Sequence, residues 1–132
     1  MSERVASCRC GQLRVHCIGD PVRVSVCHCL ECQKRTGSAF SAQARWRDDQ
    51  VLMEGTWSEW GRIADSGNKA TYRFCANCGS TVAYSGDAMQ GYMAVPLGAF
   101  AGQDLPCPIV SFYEERQHSW TAVLGNDVEH IP

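Results

Sequence analysis

Nowhere in its 132 residues does the chain carry an apolar run long enough for a membrane span or a secretory signal. The opening MSERVAS is polar, so the expectation is no membrane and a cytoplasmic location. An excess of positive charge is also missing. Twelve Lys and Arg stand against 14 Asp and Glu, for a formal net charge of −2 and a sequence pI of about 6.0. No overall basic field exists to draw nucleic acid, so no nucleic-acid partner is expected. No repeat, low-complexity tract or linker-like run divides the sequence, and its length suits a single domain over residues 1–132 with a core of its own. A long stripe of 3.6-residue periodicity is absent too, which leaves a mostly β domain.

What is present is alternation with period two, the pattern of half-buried strands. In QLRVHC, Leu13, Val15 and Cys17 share one face, opposite Arg14 and His16. In FSAQARW, Phe40, Ala42, Ala44 and Trp46 share a face against Ser41, Gln43 and Arg45. RVSVC (23–27), ATYRF (70–74), STVAY (80–84), GYMAV (91–95) and IVSFY (109–113) are further short strand candidates. DSGN (65–68) between EWGRIA and KATYRF reads as a hairpin turn that delivers Cys75 just past the second strand. A short helix or turn is expected across QKRTG, after Cys32.

Nine cysteines, at 8, 10, 17, 27, 29, 32, 75, 78 and 107, are the outstanding count. An odd number cannot pair fully into disulfides within one chain. Seven fall in three close groups, CRC (8–10), CHCLEC (27–32) and CANC (75–78), and such spacing lets neighbouring sulfurs point at one ion. Gly11 after CRC and Gly79 after CANC suit the positive φ that a chain needs when it curls round a metal. Seven thiols make one site of four and one of three. CRC with CANC is the natural four-sulfur pairing, closing a loop of more than sixty residues, though spacing alone also permits CHC with CANC.

Cys27, Cys29 and Cys32 would then form the three-sulfur site. In extended backbone the His28 side chain points away from its cysteine neighbours, and a solvated or supporting histidine is expected rather than a ligand. Cys17 lies on an apolar face and reads as a core thiol. Cys107, in LPCPIV, and the three remaining histidines, His16, His118 and His130, have no ligand-like spacing. A ligand from outside the chain is the leading candidate to complete the site.

The order CRCG, CHCLECQKRTGSAF, FCANCGS resembles the glutathione-dependent formaldehyde-activating enzyme family, whose domain also occurs in centromere protein V. The matching stretch runs from Cys8 to Trp120. The resemblance implies a single zinc-tied domain of Mss4-like (β-tent) type with short antiparallel sheets. It implies two zinc ions per chain, a structural one on Cys8, Cys10, Cys75 and Cys78 and one assigned to catalysis on Cys27, Cys29 and Cys32. It also implies a carbon–sulfur lyase-type reaction joining glutathione and formaldehyde to S-hydroxymethylglutathione.

Three thiolates leave a zinc complex with a charge of about −1, which acidifies bound water weakly and suits a substrate thiolate better. Glutathione carries carboxylates that call for guanidinium, ammonium or backbone amides. Lys34, Arg35, Gly37 and Ser38, just beyond the cysteines, are the first candidates, with Arg45, Arg47, Arg62 and Arg73 in reserve. Trp46, Trp57, Trp60 and Trp120 read as core or sheet-covering aromatics. The alternative to an enzyme is a non-catalytic zinc-stabilised β module that binds a protein partner or acts as a thiol or zinc sensor.

Overall fold

The computed structural model describes residues 2–132. Eleven strands and one helix follow in chain order: β1 (Glu3–Ser7), β2 (Arg14–Ile18), β3 (Arg23–Cys27), α1 (Leu30–Thr36), β4 (Ser41–Arg47), β5 (Val51–Glu54), β6 (Ser58–Ile63), β7 (Lys69–Phe74), β8 (Thr81–Gly86), β9 (Tyr92–Pro96), β10 (Val110–Phe112) and β11 (Glu129–His130). They form a three-stranded sheet, β1-β2-β5, and an eight-stranded sheet, β11-β10-β3-β4-β9-β8-β7-β6. The protein is mostly β, with one cysteine cluster between its two sheets and a second beside the larger one, consistent with a Mss4-like fold. Pairing is antiparallel except at one edge, where β10 runs parallel to both β3 and β11. Among the described residues no helix is long and apolar enough to cross a membrane.

The core lies where the two sheets face each other. Leu13, just before β2, and Val15 and Cys17 within it are fully buried with Ala44 and Trp46 of β4 and Val95 of β9. Trp46 is pinned at both ends. Its ring lies 5.5 Å from that of Phe100, and its Nε1 donates to the Gly19 carbonyl at 3.0 Å. A buried indole thus keeps its one polar atom satisfied.

The hairpin across DSGN forms as expected, with Ser58↔Phe74 to Ile63↔Lys69 in antiparallel register. A register shift between Arg73 and Phe74 interrupts the β7–β8 ladder just before Cys75. An irregularity of this kind bends a strand and re-aims its end. Gly79 and Gly11 adopt φ of 81° and 84°, the left-handed turns the cysteine knuckles require. The helix starts earlier than expected, at Leu30, and therefore includes Cys32.

Candidate metal and thiol site

Two cysteine groups assemble, Cys8, Cys10, Cys75 and Cys78 in one and Cys27, Cys29 and Cys32 in the other. In each, the sulfurs all lie within 4.8 Å of one another. A tetrahedral ion with metal–sulfur bonds of about 2.3 Å sets its sulfurs about 3.8 Å apart. Cys10 Sγ lies 3.6 Å from Cys8 Sγ and 3.7 Å from Cys75 Sγ, so the first group fits that polyhedron. The CRC–CANC pairing is the one the fold makes.

The surroundings of the four sulfurs are built for thiolates. The Leu13 amide donates to Cys8 Sγ at 3.3 Å, Gln12 Nε2 to Cys75 Sγ at 3.0 Å and Asn77 Nδ2 to Cys10 Sγ at 3.5 Å. The Gln12 bond draws the Cys75 thiol below its ordinary range, and hydrogen bonds led by that to Ser80 draw Cys78 down to about 5. Burial works the other way on Cys8, whose thiol is pushed up.

The second group is made by a strand end and a helix start. Cys27 closes β3, Cys29 caps α1, and Cys32 sits one turn into the helix. The Cys32 amide donates to Cys29 Sγ at 3.3 Å, so the first turn of α1 itself brings the two sulfurs together. A hydrogen bond from Cys27 pulls Cys32 down to about 5, and the same bond with burial pushes Cys27 up. Ser41, directly opposite Cys27 across β3–β4, and the charge of Arg35 also favour the Cys32 thiolate. Among the described residues no fourth Cys, His, Asp or Glu joins these three.

His28 is not a ligand, but neither is it solvated. It is fully buried, with its Nε2 2.9 Å from Ser111 Oγ and its Nδ1 unpaired, and burial keeps it below the ordinary histidine pKa. Cys17 is a core thiol, pushed up to about 12 by burial. Cys107 is exposed and belongs to neither group.

Cys27 and Cys32 open on a cavity of about 410 Å³. Its floor is the face of β3 and β4 that carries Arg23, Ser25, Ser41, Gln43 and Arg45. The sequence pattern marks Ser41, Gln43 and Arg45 as turned away from the core. They are, yet the face is not given over to solvent: Ser41 and Gln43 are buried. Ser41 Oγ donates to Gln43 Oε1 at 2.9 Å, and Gln43 Nε2 donates to Ser25 Oγ at 2.8 Å. Ala94, small and opposite both Arg45 and Tyr84, leaves the room between them. A wider depression of about 610 Å³ lies over Val5, Arg9 and Ser80, but its one cysteine is Cys8, already part of the four-sulfur group.

The residues first considered for the substrate divide. Arg35 Cζ lies 4.8 Å from the Tyr84 ring centroid and 5.5 Å from that of Tyr72. Arg35 and Lys34 both face a separate groove of about 360 Å³, with Trp60 and Arg62. Gly37 and Ser38 are exposed in the turn after α1, where the Ser38 amide donates to Thr36 Oγ1. Of the reserves, Arg45 lines the cavity, Arg47 is exposed, Arg62 pairs with Glu31 and Arg73 with Glu59. Trp46 is the only core tryptophan, and Trp60 covers sheet by stacking 6.1 Å from Tyr72. Trp57 and Trp120 are exposed.

The sequence pattern assigns Arg23, Ser25, Gln43 and Tyr84 no part in the site. The available signal was parity: Arg23 and Ser25 alternate in step with Cys27 along one strand, so all three share its face.

No curated protein sequence matches the chain. Among solved structures, a crystal structure of a Rhodobacter sphaeroides protein superposes with a TM-score of 0.59 over 76% of this chain and 90% of that one, at 16% identity. That likeness concerns the fold. The sequence profile described as glutathione-dependent formaldehyde-activating enzyme matches residues 3–116, which include all seven clustered cysteines and both arginines of the cavity. By that match over most of its length, the chain belongs to the glutathione-dependent formaldehyde-activating enzyme family.

Proposed function

We propose that this chain is a zinc-dependent enzyme of the carbon–sulfur lyase type, acting on glutathione or another thiol and formaldehyde or a related small adduct. The observation that carries the reading is a three-cysteine group, which no fourth Cys, His, Asp or Glu joins among the described residues, two of whose cysteines line a cavity. The four-sulfur group has the make-up of a closed structural site, and the three-sulfur group that of an open one. Two zinc ions per chain follow, one in each.

Zinc on three thiolates supplies a position for a substrate sulfur and lowers the pKa of that thiol. The chain's own residues hold and enclose the reactants. Cys27, Cys29 and Cys32 would hold that zinc where Cys27 and Cys32 line the cavity, and the buried Ser25–Gln43–Ser41 row keeps its floor rigid. A carbon–sulfur bond forms as the sulfur adds to the carbonyl carbon. The carbonyl π pair passes to oxygen, which takes up a proton. Tyr84, whose hydroxyl burial keeps protonated, lines the cavity beside Cys27 and Cys32 and offers that proton, and it regains one from solvent, which takes up the proton the thiol releases. The uncatalysed addition is easy, so proximity is the main gain. A reducing, cytoplasmic setting suits nine free thiols.

Exchange NMR on mixtures of glutathione and formaldehyde tests the reading. The protein should raise the exchange rate above background, and Cys29→Ser should return it to background with the circular dichroism spectrum unchanged. Equal rates with and without the wild-type protein would overturn it.

A further inference from the structure

The cavity that ends at Cys27 and Cys32 also contains a pair of arginines. Arg23 and Arg45 stand directly opposite each other across β3–β4. Like charges in that position repel, and the Arg45 pKa is held below its ordinary value by burial and by the charge of Arg23. Among the described residues, the arginine ion pairs are made elsewhere, by Arg4, Arg62 and Arg73. Arg23 Nε is buried without a hydrogen-bond partner. Each guanidinium has an aromatic ring instead, Phe112 at 5.2 Å for Arg23 and Tyr92 at 5.5 Å for Arg45. A ring face holds a guanidinium plane in place but accepts none of its in-plane N–H bonds. Two adjacent, partly desolvated cations with no counter-charge are costly unless an anion from outside completes them.

Position gives the anion its chemistry. Phe112 pairs with Cys27 in the β10–β3 register, so its contact draws the Arg23 guanidinium toward the cysteine end. Tyr92 pairs with Arg47, so Arg45 leans the other way. Arg23 and Cys27 are four residues apart in an extended strand, a Cα span of roughly 13 Å. A sulfur at the cysteines and a carboxylate at Arg45, which leans away from them, therefore belong to a molecule with several bonds between them.

We infer that Arg23 and Arg45 form an anion subsite that selects thiols carrying a carboxylate remote from the sulfur, over neutral thiols and two-carbon mercapto acids. The inference rests on the thiol chemistry proposed above. Each guanidinium offers a carboxylate charge-assisted, bidentate hydrogen bonds, and an ester lacks the charge.

Calorimetry on the metal-loaded full chain with S-methylglutathione tests the subsite, because the capped sulfur leaves the arm to report. Esterifying both carboxylates should weaken binding by about tenfold or more. Arg23→Gln and Arg45→Gln should each do the same to the acid, with Arg23→Lys retaining part of the affinity. Equal affinity of acid and diester for the wild-type protein would overturn the inference without any variant having to fold. So would undetectable binding of the acid, or unchanged binding in both glutamine variants. The exchange assay separates the two readings. Arg-dependent binding without accelerated exchange defeats the thiol chemistry and leaves the subsite standing. Accelerated exchange with diester and acid alike defeats the subsite alone.

Discussion

Single side chains decide how firmly each cysteine group can hold an ion, and Gln12 is the clearest case. Its Nε2 donates both to Cys75 Sγ at 3.0 Å and to the Thr56 carbonyl at 2.7 Å, while its Oε1 accepts from the Thr56 amide at 3.0 Å. One amide thus fastens a sulfur to the loop between β5 and β6. Partners that orient a ligand from behind typically change metal affinity by about ten- to a hundredfold. Gln12→Ala should therefore speed release of one metal to a colorimetric chelator by about tenfold, leaving the other metal's release unchanged. Identical release curves for wild type and variant would show that the bond has no such role. The seven cysteines were legible because their spacing is itself the geometry: two sulfurs one helical turn apart, or at either side of a tight turn, can meet without knowledge of the rest of the chain. Gln12 was not legible, since nothing in its neighbourhood forecasts a partner 63 residues away.

Elements were legible where one face is apolar and the other wet. β2 and the residue before it follow the pattern, with Leu13, Val15 and Cys17 buried and Arg14 exposed. β4 does not, because its polar face floors a cavity rather than meeting bulk water, and alternation cannot distinguish the two. β1 and β5 are short and carry mixed burial, and they exist because β2 lies between them. Charge also holds that small sheet together. His16 on β2 reaches Glu3 of β1 at 3.1 Å through Nδ1 and Glu54 of β5 at 3.3 Å through Nε2. These hydrogen bonds raise the His16 pKa above its usual 6.5. The raised folded-state value fixes the sign: the bridge stabilises fully below 6.5, and its contribution disappears as pH rises through the folded pKa. Both carboxylates are solvent-exposed, so the pair is worth about 1 kcal/mol or less. His16→Gln should lower the melting temperature near pH 6, by a deficit that fades as pH rises through the folded pKa and that high salt shrinks. A deficit that stays the same at every pH would exclude the charge bridge.

At the scale of the molecule, the two cysteine groups close loops of very different length. Cys8 and Cys10 lie between β1 and β2, in the small sheet, whereas Cys75 and Cys78 lie between β7 and β8, in the large one. Cys10 and Cys75 are 65 residues apart in sequence and 3.7 Å apart at sulfur. A cross-link over a loop of that length removes unfolded-state entropy worth about 4 kcal/mol, a large share of a small domain's stability. Cys27, Cys29 and Cys32 span six positions on one strand end and one helix turn, so joining them restrains almost nothing that β3 and α1 do not already fix. Loss of metal should therefore be graded. Elemental analysis of the purified chain should find two zinc ions. A mild chelator should take the first from the three-sulfur group with little change in the melting curve, and removing the second should unfold the domain. Cys75→Ser should reproduce the second step without chelator, and Cys29→Ser the first. A single ion per chain would defeat the division into four and three. A Cys75→Ser protein that melts like wild type would show that the contacts between the sheets, centred on Trp46 and Val15, hold them together without the sulfur knot.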